Sequence, residues 1–309
     1  MVRPPIIAGM SARQAIAAAS LAFADQIAGN VAGVVSDRDV ESLHRLRVAV
    51  RRTRSLIKLT GDVLPDGIAA KYEPEFRWLG DLTTPTRDLD VYLPRLDELA
   101  GRLRGTEPAD LDPFREYLVQ LRRTERHALL TGLASERFTD LMAGWHGTLA
   151  EVRPDDAGPT VESLAADRVR RAIRRVARRA REVAPDSPPE TIHALRKRCK
   201  ELRYLLEVFS PVCDPRAHAA VIKDLKRVQD TLGAFQDGHV QATALRGHAE
   251  KMLATRHASA GTLLAMGELV ASFAAEQAEA QRVLVYQLPE FLGPAARRRM
   301  ASLVPDGAR

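Results

Sequence analysis

The strongest constraint on this chain is that part of it is written twice. At an offset of 149 residues, His44-x-x-Arg47 returns as His193-x-x-Arg196, Arg54 as Arg203, Asp81 as Asp230, Asp88 as Asp237 and Val91 as Val240. From Glu41 to Val91 the register holds without a gap and contains eleven identities. Several of these are polar residues that a chance match between two amphipathic helices would not preserve, so the pattern reads as an internal duplication.

Nearly every stretch between turn signals repeats at the helical period, Ser11 to Asn30 and Leu43 to Leu59 being typical, and no run shows sustained β-branched alternation. The expected fold is all-α, with about ten to twelve helices. Breakers fall at Pro65-Asp66-Gly67, Thr84-Pro85, 105–113, 153–159, 185–189, 211–215, Gly233, Gly238 and Gly261. The densest, 153–159, separates a first helical half (7–152) from a second (160–296) within one domain spanning 7–296. Aromatic residues make up only 5%, so the core must be built from Ala, Leu and Val.

On the first repeated helix His44, Arg47, Arg51, Arg54 and Lys58 follow i, i+3, i+7, i+10, i+14, which is one face. The apolar stripe Leu43, Leu46, Val50, Ile57 has the same spacing and lies one residue, about 100°, around the helix. The basic row therefore adjoins the core stripe instead of opposing it. Its counterpart is His193, Arg196, Lys200, Arg203 beside Ile192, Leu195, Cys199, Leu202. Two such helices packed through their apolar stripes turn both basic rows toward one groove. Acidic partners one turn away are largely missing on the first helix, unlike an ordinary solvated charged face. The paired histidines are expected to touch the same anion, which would favour their charged form. Nothing around them has metal-ligand spacing, and no metal or cofactor is expected.

A third basic element, DRVRRAIRRVARRARE, carries eight arginines between Arg168 and Arg181. By offset its counterpart is the nearly uncharged segment Ala19 to Ala32, so the feature belongs to one half. An additional polyanion contact and a plain solvated face are both open readings. Of the 46 basic residues only seven are Lys; genomic codon bias explains such a total but not the placement. The net charge of +6 and pI of 9.6 favour an anionic partner. Two cysteines, Cys199 and Cys213, fit a reducing compartment, no apolar run approaches the length of a membrane span, and the N-terminus lacks a leader-like apolar core. A cytoplasmic protein is expected.

The segment SLHRLRVAVRRTRSLIKL, followed by FRWLGDLTTPTRDLDVYL, resembles the first half of the CHAD domain, the "conserved histidine α-helical domain". TIHALRKRCKELRYLLEVF, followed by LKRVQDTLGAFQDGHV, resembles its second half, and the likeness runs from about Ile7 to about Ala296. The resemblance implies two four-helix bundles related by a pseudo-two-fold axis, with a basic groove or channel at their junction, and a polyphosphate-binding module. It assigns His44, Arg47, Arg51 and Arg54 to the first motif, and His193, Arg196, Lys197, Lys200 and Arg203 to the second. Lys58 extends the first row, and Arg77 and Lys226 match a basic position ahead of each following turn. Three departures stand out. Glu201 occupies a position where the family often has Arg, which leaves the second row less basic. Gln236 replaces the usual Asn, and His239 faces Asp90 in the repeat; both are expected to affect turns only.

Polyphosphate is a flexible row of negative charges without bases, so rows of arginine with no stacking aromatics suit it. A rival reading is a nucleic-acid-binding protein, although no helix-turn-helix spacing, zinc finger or aromatic-interleaved patch is present. A second rival is a metal-dependent phosphohydrolase using Asp88, Asp90 and Asp237. Against it, Asp81, Asp88, Asp230 and Asp237 are expected at helix ends as caps, and no phosphate-binding loop or nucleophile elbow occurs. The separate hydrolase domain often joined to this family is not expected within these 309 residues. A non-enzymatic polyphosphate binder, located at polyphosphate granules, is the expectation.

Overall fold

A computed structural model describes residues 5–155 and 157–304. Asp156, inside the expected linker, lies outside the described residues. The first half contains α1 (Ala12–Ser36), α2 (Val40–Thr60), α3 (Ile68–Tyr92), the short α4 (Leu96–Ala100), α5 (Asp112–Leu133) and α6 (Glu136–Ala150). The second contains α7 (Val161–Arg181), α8 (Pro189–Val208), α9 (Pro215–Ala254), α10 (Ala260–Phe291) and α11 (Pro294–Ala301). Short polar residues start these helices by accepting bonds from exposed backbone N–H groups: Ser11 from Gln14, Ser135 from Phe138, Thr160 from Ser163 and Asp214 from Ala217. The fold is all-α; the only pairing of extended residues described is an isolated antiparallel bridge between Ser11 and Thr160.

That bridge shows how the halves are related. The Ala12 N–H donates to the Pro159 carbonyl at 2.8 Å, and the Val161 N–H donates to the Met10 carbonyl at 2.9 Å. Each bond becomes the other when 149 is added or subtracted, which is the reciprocity a two-fold axis requires. The same offset relates the starts of α1 and α7, and of α2 and α8. Where α2 crosses α8 the relation recurs in side chains. Arg52 pairs with Glu207 at 3.0 Å and Lys58 with Glu201 at 2.8 Å. Arg52 and Glu201 are repeat partners, as are Lys58 and Glu207, so both bridges are one contact seen from its two ends. The positive member always comes from the first half.

In the first half α1, α2, α3 and α6 pack in a ring, each on the next. In the second, α8 packs on α7 and α9, and α9 on α10 and α11. One apolar core runs through both halves, including Ile16, Leu46, Phe76 and Trp145 from the first and Leu195, Leu206, Leu225 and Leu284 from the second. A second core forms at the far end, where α4 and the start of α5 meet the late part of α9 and the early part of α10 around Phe114 and Phe273. The halves therefore meet at two places. α1 is long and apolar enough to cross a membrane by length and composition, a correction to the sequence reading. Its apolarity comes largely from alanine, which permits close packing against α2, α6 and α7.

Several expected breaks are absent. Thr84-Pro85 lies inside α3, and Gly233 and Gly238 lie inside the 40-residue α9. Just before Pro85, Thr83 donates to the Leu79 and Gly80 carbonyls and Thr84 to that of Gly80, so these hydroxyls bond back into the turn that precedes the proline. Asp81, Asp88, Asp230 and Asp237 are consequently inside helices and do not cap them. At Gly238 a Cβ would sit 2.8 Å from the Phe273 carbonyl oxygen of α10, whereas at Gly233 it would meet nothing within 4 Å. Opposite outcomes are expected for the same substitution. Gly238→Ala should lower unfolding free energy by about 1–3 kcal/mol through overpacking. Gly233→Ala should raise it by about 0.5–1 kcal/mol through reduced chain entropy. Thermal and urea unfolding of the two variants would check the signs.

Candidate functional site

Because the basic row of α2 lies beside its apolar stripe, burying Leu46, Val50 and Ile57 carries the cations to the rim of the core. Two adjoining cavities of about 320 Å³ each result. The first lies between α2 and α3 and is lined by His44, Arg47, Arg51, Arg54 and Arg87 with Thr83 and Thr84. The second lies where α2 approaches α8 and is lined by Arg51, Arg54, Lys58, His193, Arg196, Lys197 and Lys200, with Glu73, Glu201 and Tyr204. Arg51 and Arg54 belong to both, so the two cavities form one groove.

Several side chains in the groove are held by identifiable contacts. Arg47 donates to the Thr84 hydroxyl at 2.6 Å, and that hydroxyl donates on to the Gly80 carbonyl at 2.7 Å. Arg54 lies against Gly80, where a Cβ would come within 2.7 Å of its guanidinium. Arg51 stacks its guanidinium over the Tyr204 ring at 5.7 Å. In the second half, glutamines on α9 occupy the corresponding positions. Gln236 bonds His193 Nδ1 at 2.8 Å, and Gln229 accepts from Arg203 at 3.2 Å. These two are the repeat partners of Arg87 and Gly80. The effect of Gln236 is thus to orient a histidine; it sits within α9 and shapes no turn, which corrects the sequence reading. His239 likewise lies inside α9.

The groove holds its charge at an electrostatic cost. Burial lowers the pKa of Arg47 and of Arg196, against the opposing attraction of Asp88 and Asp237 respectively. Burial, with Arg196 and Arg51 nearby, brings Lys200 down to about 8. His44 is lowered by burial and by Arg87, Arg51 and Arg47, despite Glu41. At Asp88 burial outweighs Arg47 and Arg87, and its pKa rises. Arg47, Arg51, Arg54, Arg196, Lys197 and Lys200 form no ion pair with any described residue. Elsewhere on the surface many arginines do, such as Arg122 with Asp37 and Asp90, and Arg137 with Glu75.

Not all expected contributors are gathered here. Arg203 lies outside both cavities, paired with Glu207 at 2.9 Å one turn along α8. Arg77 is exposed and paired with Glu73, and Lys226 is exposed and lines neither cavity. Lys58 lines the groove, but its ammonium is engaged by Glu201. Glu201 is buried, 7% exposed, and also binds Arg198 at 2.6 Å, so it braces the α2–α8 crossing and its charge is already neutralised. Arg87 was the cation missed. Only its alignment with Gln236, 149 residues on, hinted at a position beside the histidine.

Asp90 is bound by Arg122 at 2.6 Å, with 3% of its side chain exposed. Among the described residues no three His, Cys, Asp or Glu side chains converge as a metal site, so Asp88, Asp90 and Asp237 form no carboxylate cluster. Cys199 and Cys213 are both buried and unpaired, their thiols pushed up by burial to about 12 and about 11.

Fold and groove together define an all-helical protein with basic side chains lining adjoining cavities between α2, α3 and α8. The chain belongs to the CHAD domain family, whose profile matches residues 18–246. Two uncharacterized proteins from strains of Mycobacterium tuberculosis, Rv2226 and MT2285, are 28% and 27% identical over 211 residues. The match takes in 65% of this chain and 39% of each of theirs, so the chain spans about two fifths of the length of these curated relatives. The crystal structure of the CHAD domain from the plant Ricinus communis superposes with a TM-score of 0.73 at 25% identity, covering 93% of this chain and 96% of that one. PptA from Streptomyces chartreusis shares the fold, with a TM-score of 0.67 at 19% identity over 91% of this chain and all of that one.

Proposed function

We propose that this protein binds inorganic polyphosphate in the groove between its halves, does not hydrolyse it, and resides in the cytoplasm at polyphosphate granules. The observation that carries this reading is the set of six groove cations that form no ion pair with a described residue, three of them with depressed pKa values. A site that keeps cations together against burial and mutual repulsion is stabilised by an anion that neutralises them. The linked small cavities suit a single flexible strand better than a duplex. Apart from the two histidines, their one aromatic ring, Tyr204, is already covered by Arg51, which argues against base stacking.

The test is a titration with long-chain polyphosphate at several salt concentrations. Six phosphate contacts predict a slope of log K against log salt of about −4, taking about −0.7 per neutralised phosphate on a single strand. Displacement of labelled polyphosphate by duplex DNA at equal phosphate concentration would defeat the reading. Release of phosphate with added Mg²⁺ would refute the absence of hydrolysis.

Binding should also take up protons. His44 and Lys200 have depressed pKa values in the free protein, and a nearby polyanion raises them. Affinity therefore falls as pH rises through the bound-state values, and between pH 7 and 9 Lys200 dominates. Loss of that one charge-assisted contact weakens binding by about tenfold. Lys200→Arg should flatten the profile above pH 7. Calorimetry in buffers of different ionisation enthalpy would count the protons directly.

A further inference from the structure

The outer face of α7 is not accounted for by the groove. Its inner positions pack on α8, α1 and the 210–212 turn, with Ala165, Val169, Ala172 and Val176 buried. Arg174, Arg175, Arg178 and Arg181 are exposed on the other side, and none forms an ion pair with a described residue. Neighbouring arginines behave differently. Arg168 reaches Asp62, Arg171 pairs with Asp167, and Arg179 pairs with Glu182. The four unpaired guanidiniums span about 10 Å along the helix, at 1.5 Å per residue.

The fold itself does not require them. The buried positions of α7 named above are the repeat counterparts of Ile16, Ser20, Phe23 and Ile27, all buried in α1. The four arginines correspond to Asp25, Gln26, Gly29 and Ala32, so α1 fills the equivalent place without a single cation. A helix can occupy this position with no cation on its outer face, where α1 instead exposes Asp25, yet α7 gathers unneutralised positive charge there. Favourable interaction with the helix dipole accounts at most for arginines in the last turn, Arg178 and Arg181, and not for Arg174 and Arg175. No exposed large apolar side chain lies on α7, which disfavours insertion into a membrane surface.

We propose that this face is a second polyphosphate site, separate from the groove, so that one molecule can hold two polyphosphate chains at once. The inference rests on the groove reading for its ligand but on different residues for its geometry. Arginines spaced along one exposed helix face offer paired donors to successive phosphates of a strand lying along it, and such a contact is open and strongly salt-dependent. The groove retains one segment by enclosure, and the α7 face engages another by charge.

A two-chain capture assay tests this. Long-chain polyphosphate is fixed on beads, the full-length protein is bound at low salt, and fluorescent long-chain polyphosphate is then added. Wild type is expected to retain the labelled chain. The variant carrying R174Q, R175Q, R178Q and R181Q should still load onto the beads while second-chain capture falls by about tenfold or more. The corresponding four Arg→Lys replacements should restore most of the capture, which a purely structural role for arginine would not allow. Unchanged capture by the glutamine variant overturns the proposal. So does preferential capture of labelled duplex DNA or of phosphatidylserine vesicles through the same four residues. A variant with Arg47→Gln and Arg196→Gln separates the two claims. If it titrates with tripolyphosphate like wild type, the groove reading fails whatever α7 does; if it loses that binding while the α7 replacements have no effect on capture, only the second site fails.

Discussion

Replacing Arg47 and Arg196 together by glutamate is expected to abolish polyphosphate binding while leaving the helical circular dichroism unchanged. These two arginines are the repeat-related pair, one at each end of the groove, and both are half-buried. Each charge-assisted contact to a phosphate contributes about 1.5–3 kcal/mol, so losing both weakens binding by about a thousandfold, before the repulsion of the new carboxylates. The fold should survive because neither arginine forms an ion pair with a described residue and burial works against their charge. Arg47→Gln with Arg196→Gln is the milder companion, since it adds no carboxylate beside Asp88 or Asp237. Loss of helicity in the glutamine pair would show that the arginines are structural. Retained binding in the glutamate pair would remove the groove as the site.

The largest effect on stability is expected at the α2–α8 crossing. Arg52 is 8% exposed, pairs with Glu207 at 3.0 Å and lies over the Phe23 ring at 5.9 Å. Arg52→Ala leaves Glu207 short of a partner in a partly closed site and is expected to cost about 3 kcal/mol, towards the lower end for breaking a buried pair because Arg203 still reaches Glu207. Arg52→Met combined with Glu207→Met should recover most of that loss, since no buried charge is left unpaired and Arg203, which also reaches Glu207, is partly exposed to solvent. The double-mutant cycle, followed by urea unfolding, isolates the pair. Additive effects of the two single replacements would mean that the crossing does not depend on it. Because first-half cations meet second-half anions in both bridges, pairing two first halves would oppose Arg52 to Lys58, and pairing two second halves would oppose Glu201 to Glu207. The charges thus specify which half packs against which.

How far the residues revealed this can be followed through particular positions. The row from His44 to Arg54 and its neighbouring apolar stripe were legible because both follow from the helical period, which is a local property. Gly233 and Pro85 were misleading because turn propensity is also local, while burial along one face keeps α3 and α9 helical through them. Glu201 read as a defect in a basic wall because its partners are not on its own helix face alone: Lys58 is 143 residues away. Arg87 was overlooked because only the approach of α3 to α2 brings it beside His44.

The sequence by itself determined that the chain is helical, that its halves correspond at 149 residues, and that each basic row borders the core. Periodicity and repeat register carry all three, and neither depends on distant contacts. Tertiary structure decided which cations are free. Lys58 and Arg52 are neutralised across a helix crossing by residues 143 and 155 positions away, Arg203 is occupied on its own helix, and Arg47, Arg51, Arg54, Arg196, Lys197 and Lys200 are left around one groove with no ion pair to a described residue. Charge neutralisation falls off steeply with distance, so it depends on where helices cross, and spacing along the chain does not encode that.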